Sequence, residues 1–127
     1  MLSGGFNLSG LWPPYRTAVQ DYLMPYVQYF GLQGTIVSGY RSMEEQAVLY
    51  RKGRTPAEVA ARVSKQGRDG AVTDAPPGSS AHNYGLAIDV EGPHQAQIVD
   101  LARQLGFGTV SWDPAHIEWP RWQSLLR

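Results

Sequence analysis

Of the three histidines in this 127-residue sequence, two stand where an imidazole can do chemistry. His82 falls in Ser80-Ala81-His82-Asn83-Tyr84-Gly85-Leu86-Ala87-Ile88-Asp89, and His116 in Trp112-Asp113-Pro114-Ala115-His116-Ile117-Glu118. An extended backbone over 85–90 puts Leu86 and Ile88 on one face and Ala87 and Asp89 on the other. Asp89 then sits beside a small neighbour, with room for an ion or a ligand. A carboxylate in an apolar strand needs partners, because burying it unpaired is costly. A metal is one such partner; a buried arginine or backbone donors are others. Two imidazoles, one carboxylate and an open position for water make a catalytic zinc site. Asp113, turned by Pro114, would then serve as general base beside that water. Glu118 is a rival base, since alternation along a strand aims it at the same face as His116. A buried histidine is more often hydrogen-bonded core than ligand, and the chain has no HExxH motif.

Composition removes several other chemistries. There are no cysteines, which excludes disulfides, thiolate zinc sites, iron–sulfur clusters and cysteine nucleophiles. Eleven basic and eleven acidic residues leave no net charge, and so no electrostatic footprint for nucleic acid or an anionic membrane. Arg51, Lys52, Arg54, Arg62, Lys65 and Arg68 cluster locally and read as a solvated helical face rather than a binding patch. No apolar run approaches the roughly 20 residues that span a bilayer. Residues 1–11 lack a basic, then apolar, signal-peptide pattern, so synthesis in the cytoplasm is expected.

The elements that must hold these side chains can be traced along the chain. A single domain over 1–127 is expected, with an irregular Gly/Ser/Asn-rich lead-in over 1–12. Tyr15, Ala18, Val19, Tyr22, Leu23, Tyr26, Val27 and Phe30 follow helical spacing from Pro13-Pro14 to Gly31, and Pro25 should kink or split that helix. Thr35–Ser38 reads as a strand. Ser42 with Glu45 forms a capping-box pattern for a helix to about Lys52, and Thr55, Pro56 and Glu58 repeat the signal for a helix carrying Val59, Ala60 and Val63. The Gly- and Pro-rich stretch from Gly67 to Ala81 is long enough to form one wall of a cleft. Ile98, Leu101, Ala102 and Leu105 mark a further helix. Segments 107–112 and 115–119 predict a hairpin turning at Asp113-Pro114. The order points to an α+β fold with a small antiparallel sheet flanked by helices.

The pattern Ser80-x-His82-x-x-Gly85-x-Ala87-x-Asp89, followed by Asp113-x-x-His116 and preceded by Ser38-Gly39-Tyr40-Arg41-Ser42 with Gln46, Leu49 and Tyr50, resembles the LAS metallopeptidases. That family holds D-alanyl-D-alanine carboxypeptidases and dipeptidases, vancomycin-resistance carboxypeptidases and phage endolysins that cut L-alanyl-D-glutamate bonds. The resemblance runs from about Ile36 to Trp119. It implies a Hedgehog/D,D-peptidase-like architecture, zinc held by His82, Asp89 and His116, Asp113 as acid/base, and Arg41 steadying the oxyanion. Many relatives carry glutamate where this chain has Asp113.

The implied function is zinc-dependent hydrolysis of a peptidoglycan stem peptide or crosslink by a monomer, as a D,D-carboxypeptidase or an L-alanyl-D-glutamate-type endopeptidase. Such an enzyme would meet the cell wall after lysis, by export or as part of a virion. The alternative is a non-catalytic peptidoglycan-binding or virion structural domain that keeps the scaffold. Ser80, Gln46 and Tyr84 are candidate substrate-binding residues, and Gln46 is also a candidate support for Arg41. His94 is expected at the surface. Trp112, Trp119 and Trp122 should be core or groove wall.

Overall fold

The computed structural model describes residues 1–64, 70 and 72–126. Its centre is a five-stranded sheet in the order β1-β2-β3-β5-β4, comprising β1 (Leu2–Ser3), β2 (Gly34–Ser38), β3 (Ala87–Glu91), β4 (Gly108–Val110) and β5 (Asp113–Glu118). The β1–β2 pair is parallel and the other three pairs are antiparallel. The α+β class and the small sheet are therefore as expected, with one parallel edge added.

That edge corrects the reading of the first twelve residues as irregular. Leu2 pairs with Gly34, Gly5–Leu8 forms a 3₁₀ turn, and Leu2, Leu8 and Leu11 are buried. Three leucines spaced through a Gly/Ser-rich stretch anchor it to the core, although no local periodicity announces a strand.

The side chains of Ile36, Ile88, Val90 and Ile117 share one face of the sheet and are fully buried. Period-two alternation sends Asp89, His116 and Glu118 to the other face. Helices cover the apolar side. Helix α5 (Gln95–Gln104) contributes Ile98 and Ala102, while α1 (Pro13–Ala18), α2 (Met24–Tyr29) and the turn between them contribute Tyr15, Val19, Leu23 and Val27 to the same core. Pro25 does split the helical run. Its missing N–H is met by a wider turn over Val19–Leu23, in which Met24 N–H reaches back to the Val19 carbonyl.

Both capping boxes form. Ser42 and Glu45 open α3 (Met43–Arg51), and Thr55 and Glu58 open α4 (Pro56–Ala60). Helix α4 is shorter than expected and leaves Val63 outside it. Arg62 adopts left-handed backbone (φ 54°), which ends the helix before that residue.

Arg54 is not part of a solvated basic face. Its side chain is fully buried, donates to the carbonyls of Tyr50 and Val63, pairs with Asp74 at 3.0 Å, and lies over the Tyr50 ring. Lys65 and Arg68 lie outside the described residues. Among those described, no helix is long and apolar enough to cross a membrane.

Candidate metal centre

The antiparallel β3–β5 register sets Asp89 directly opposite His116 and Ala87 opposite Glu118. Two of the site's side chains are therefore placed by backbone ladder bonds. The hairpin that carries His116 turns at Ser111-Trp112, between β4 and β5, and not at Asp113-Pro114 as expected. Proline is tolerated in β5 because Pro114 precedes the first residue paired with β3.

His82 arrives from a 3₁₀ turn over Ala81–Tyr84, capped by the Ser80 hydroxyl, which accepts the His82 N–H at 3.2 Å. Gly85 ends this turn at φ 67°. A Cβ there would stand 2.7 Å from both the Gly10 oxygen and the Trp12 nitrogen, so glycine is required on conformational and steric grounds alike.

His82, Asp89 and His116 each present a donor atom to a common point, with these atoms within 4.8 Å of one another. His82 Nε2 lies 3.2 Å from Asp89 Oδ2, and His116 Nδ1 lies 3.5 Å from Asp89 Oδ1. The outward nitrogens are anchored elsewhere: His82 Nδ1 to the Gly39 carbonyl at 2.8 Å, and His116 Nε2 to Glu118 at 2.7 Å. Asp89 Oδ1 is buried yet has no hydrogen-bond partner. A buried carboxylate oxygen left unpaired between two imidazoles fits a cation ligand, and the N₂O donor set suits zinc.

Burial disfavours charge on Asp89, but the imidazoles of His116 and His82 beside it outweigh that effect and hold the carboxyl well below its usual range. Burial lowers the His116 pKa, while Asp89 and Glu118 overcome that effect and push it up to about 9.

Asp113 and Glu118 sit on opposite nitrogens of His116. Asp113 Oδ2 is 3.9 Å from Nδ1, the nitrogen that faces Asp89, and its side chain is 44% exposed toward the cleft. Arg41 Nη2 stands 3.7 Å from Asp89 Oδ2 and donates to Ser38 Oγ, while Nη1 donates to Gln46 Oε1 at 2.9 Å.

A cleft of about 580 Å³ opens over this group. Residues 72–76 and 79–81 of the 67–81 stretch line it, together with Trp112, Trp122 and Gln123. Residues 67–69 and 71 lie outside the described part.

Ser80 lines the cleft, while Gln46 and Tyr84 are not among its lining residues. Gln46 is fully buried, accepting from Arg41 and donating to the Ala75 carbonyl at 2.7 Å. The Tyr84 hydroxyl donates to the Gly78 carbonyl, and its ring stacks on Trp122. Trp119 packs edge-on against Trp12 and Tyr15. His94 stands apart at the start of α5, its Nδ1 accepting from Gln33 N–H.

Asn83 is a clamp that the residue pattern alone does not announce. Its amide donates to the Arg41 and Ser42 carbonyls and accepts from Gly78 N–H, tying three segments of the cleft together. Adjacency to His82 was its one signal in the sequence.

With this geometry in hand, a family model described as VanY, D-alanyl-D-alanine carboxypeptidase, matches residues 16–116. The chain belongs to this family. VanY-family membership agrees with the LAS-type resemblance of the motifs. The peptidoglycan L-alanyl-D-glutamate endopeptidase CwlK of Bacillus subtilis (strain 168) is 39% identical over 83 residues, covering 65% of this chain and 36% of that protein. The match thus spans about a third of that relative's length.

Among solved structures, the vancomycin-resistance D,D-pentapeptidase VanY, an E175A mutant in complex with Zn(II), superposes with TM-score 0.56 at 25% identity, over 84% of this chain and 69% of that one. The LD-carboxypeptidase LdcB superposes with TM-score 0.59 at 19% identity, over 91% of this chain and 63% of that one, a likeness of fold.

Proposed function

We propose that this chain is a zinc peptidase that hydrolyses a bond in the peptidoglycan stem peptide or its crosslink, with His82, Asp89 and His116 holding the ion. The observation that carries this reading is Asp89, set between two imidazoles at 3.2 and 3.5 Å with one buried oxygen that no hydrogen bond satisfies. A carboxylate serving only the core would satisfy that oxygen with a hydrogen bond; a cation ligand needs its lone pairs available. The family to which the chain belongs supports the substrate class.

Bound zinc supplies Lewis acidity and positive charge at the scissile carbonyl. The remaining work falls to side chains of this chain. Asp113, partly exposed in the cleft, takes the proton of the attacking water as the new C–O bond forms and delivers it to the leaving amine as the C–N bond breaks. Arg41, steadied by Ser38 and Gln46, turns its guanidinium toward the same point and stabilises the oxyanion. Ser80 lines the wall against which the peptide lies. One chain supplies the whole set, so a monomer suffices, acting at the cell wall after lysis, export or delivery with a virion.

Both D,D-carboxypeptidase and L-alanyl-D-glutamate-type endopeptidase activity fall within this reading. Mass spectrometry of purified peptidoglycan digested with the protein tests it and names the bond. Hydrolysed muropeptides, lost with a chelator and restored by zinc, are the expected result. Unchanged muropeptides from protein that takes up no zinc would overturn it.

A further inference from the structure

The cleft contains a carboxylate that the proposed chemistry does not use. Glu118 is 15% exposed, and its Oε1 lies 2.7 Å from His116 Nε2. A neutral imidazole carries its proton on one nitrogen and a lone pair on the other. A proton donated from Nε2 to Glu118 therefore leaves the lone pair on Nδ1, the nitrogen facing Asp89 at 3.5 Å. His82 is held in the opposite sense, with Nδ1 on a backbone carbonyl and Nε2 turned inward.

The fold also makes room for the Glu118 side chain. Gly108 pairs with Glu118 across the β4–β5 ladder. A Cβ on Gly108 would lie 2.9 Å from Glu118 Cγ and 3.4 Å from Oε2. Any side chain at 108 would push the glutamate aside.

The geometry points to Glu118 as a positioning residue that holds His116 with Nδ1 toward the metal-binding group, and to Gly108 as the cradle that lets its carboxylate lie there. This rests on the zinc reading above. It separates Glu118 from proton transfer, because Glu118 occupies the nitrogen turned away from Asp89 while Asp113 approaches Nδ1 at 3.9 Å. Outer partners of this kind fix the orientation of a ligating imidazole and raise its basicity.

The test is the zinc affinity of the whole chain, measured by competition with a chromophoric chelator, alongside turnover. Glu118→Ala is expected to weaken zinc binding about 10- to 100-fold, the usual cost of losing such a partner. Glu118→Gln, whose amide oxygen can accept the same hydrogen bond, should recover most of the affinity and turn over. Gly108→Ala should weaken zinc binding in the wild-type background and add little on top of Glu118→Ala.

If Glu118→Ala does not fold, as judged by circular dichroism, Glu118→Gln and Gly108→Ala decide. Undiminished zinc binding by Glu118→Ala, or by Gly108→Ala if the former does not fold, overturns the inference alone. So does a Glu118→Gln variant that binds zinc fully but has lost turnover, which would make Glu118 the base. Wild-type protein that binds no zinc overturns the metal reading, and this inference with it.

Discussion

On one side of the cleft, Asp89 and His116 stand opposite each other on neighbouring strands. On the other, Arg41 and the segment 72–81 are held by side chains of Gln46 and Asn83. In the sheet, each backbone position is secured by several ladder bonds, and a side chain's direction follows from alternation. Across the cleft, two side-chain amides make the link: Gln46 joins Arg41 to the Ala75 carbonyl, and Asn83 joins the Arg41 and Ser42 carbonyls to Gly78 N–H. Metal ligands tolerate little displacement and come largely from the rigid side. The wall and the arginine side chain are positioned by side-chain hydrogen bonds rather than by a strand ladder, so conservative changes there should tune the reaction without destroying the site.

The sharpest way to break this contrast is to strike the sheet-borne side. Asp89→Ala is expected to abolish zinc uptake, measured by elemental analysis, and to reduce hydrolysis to background. Zinc retained at wild-type stoichiometry would remove Asp89 from the ligand set. Asp113→Ala should keep zinc and lose about 100- to 10,000-fold in kcat, the range for general acid–base catalysis; loss of metal in that variant would make Asp113 a ligand instead.

Across the cleft, Arg41→Ala should cost about 100- to 1000-fold in kcat with zinc intact, as for removal of an oxyanion donor. Gln46→Ala should act more gently on turnover. It strands the part-buried Ala75 carbonyl and one Arg41 contact, so urea unfolding should show a loss of about 1–3 kcal/mol. A Gln46→Ala variant as stable as wild type would mean that the wall stands without it.

The smallest effect belongs to the α3 capping box. The Ser42 N–H and hydroxyl hold the exposed Glu45 carboxyl below its ordinary 4.5. A depressed carboxyl contributes stability that is present above 4.5 and is lost as the pH falls through its folded value. The difference in melting temperature between wild type and Glu45→Ala should therefore shrink between pH 5 and pH 3, within the range for ordinary surface interactions.

How much of this was legible before folding depended on the distance over which each signal acts. Both capping boxes, the opening at Pro13-Pro14 and the split around Pro25 involve residues a few positions apart, and each stands in the structure where its local signal lies. The hairpin turn was displaced to Ser111-Trp112 because Asp-Pro is a turn signal only where the proline nitrogen is not free to sit unpaired at the start of a strand. The parallel edge strand at Leu2–Ser3 left no periodic trace, since two residues are too few to show one. Arg54 looked like a surface charge because its partners, the carbonyls of Tyr50 and Val63 and the Asp74 carboxylate, meet only when the chain folds back.

By itself, the order of residues determined which side chains are available for chemistry, where the capped and proline-led helices begin, and which strand face carries Asp89. Only the tertiary structure decided that His116 lies across from Asp89, that its Nδ1 and not its Nε2 faces that carboxylate, and that Asp113 and Glu118 divide its two nitrogens. Alternation assigns a side chain to a face through covalent geometry. Turning a ring upon that face takes a hydrogen-bond partner and an empty space, and both come from another strand.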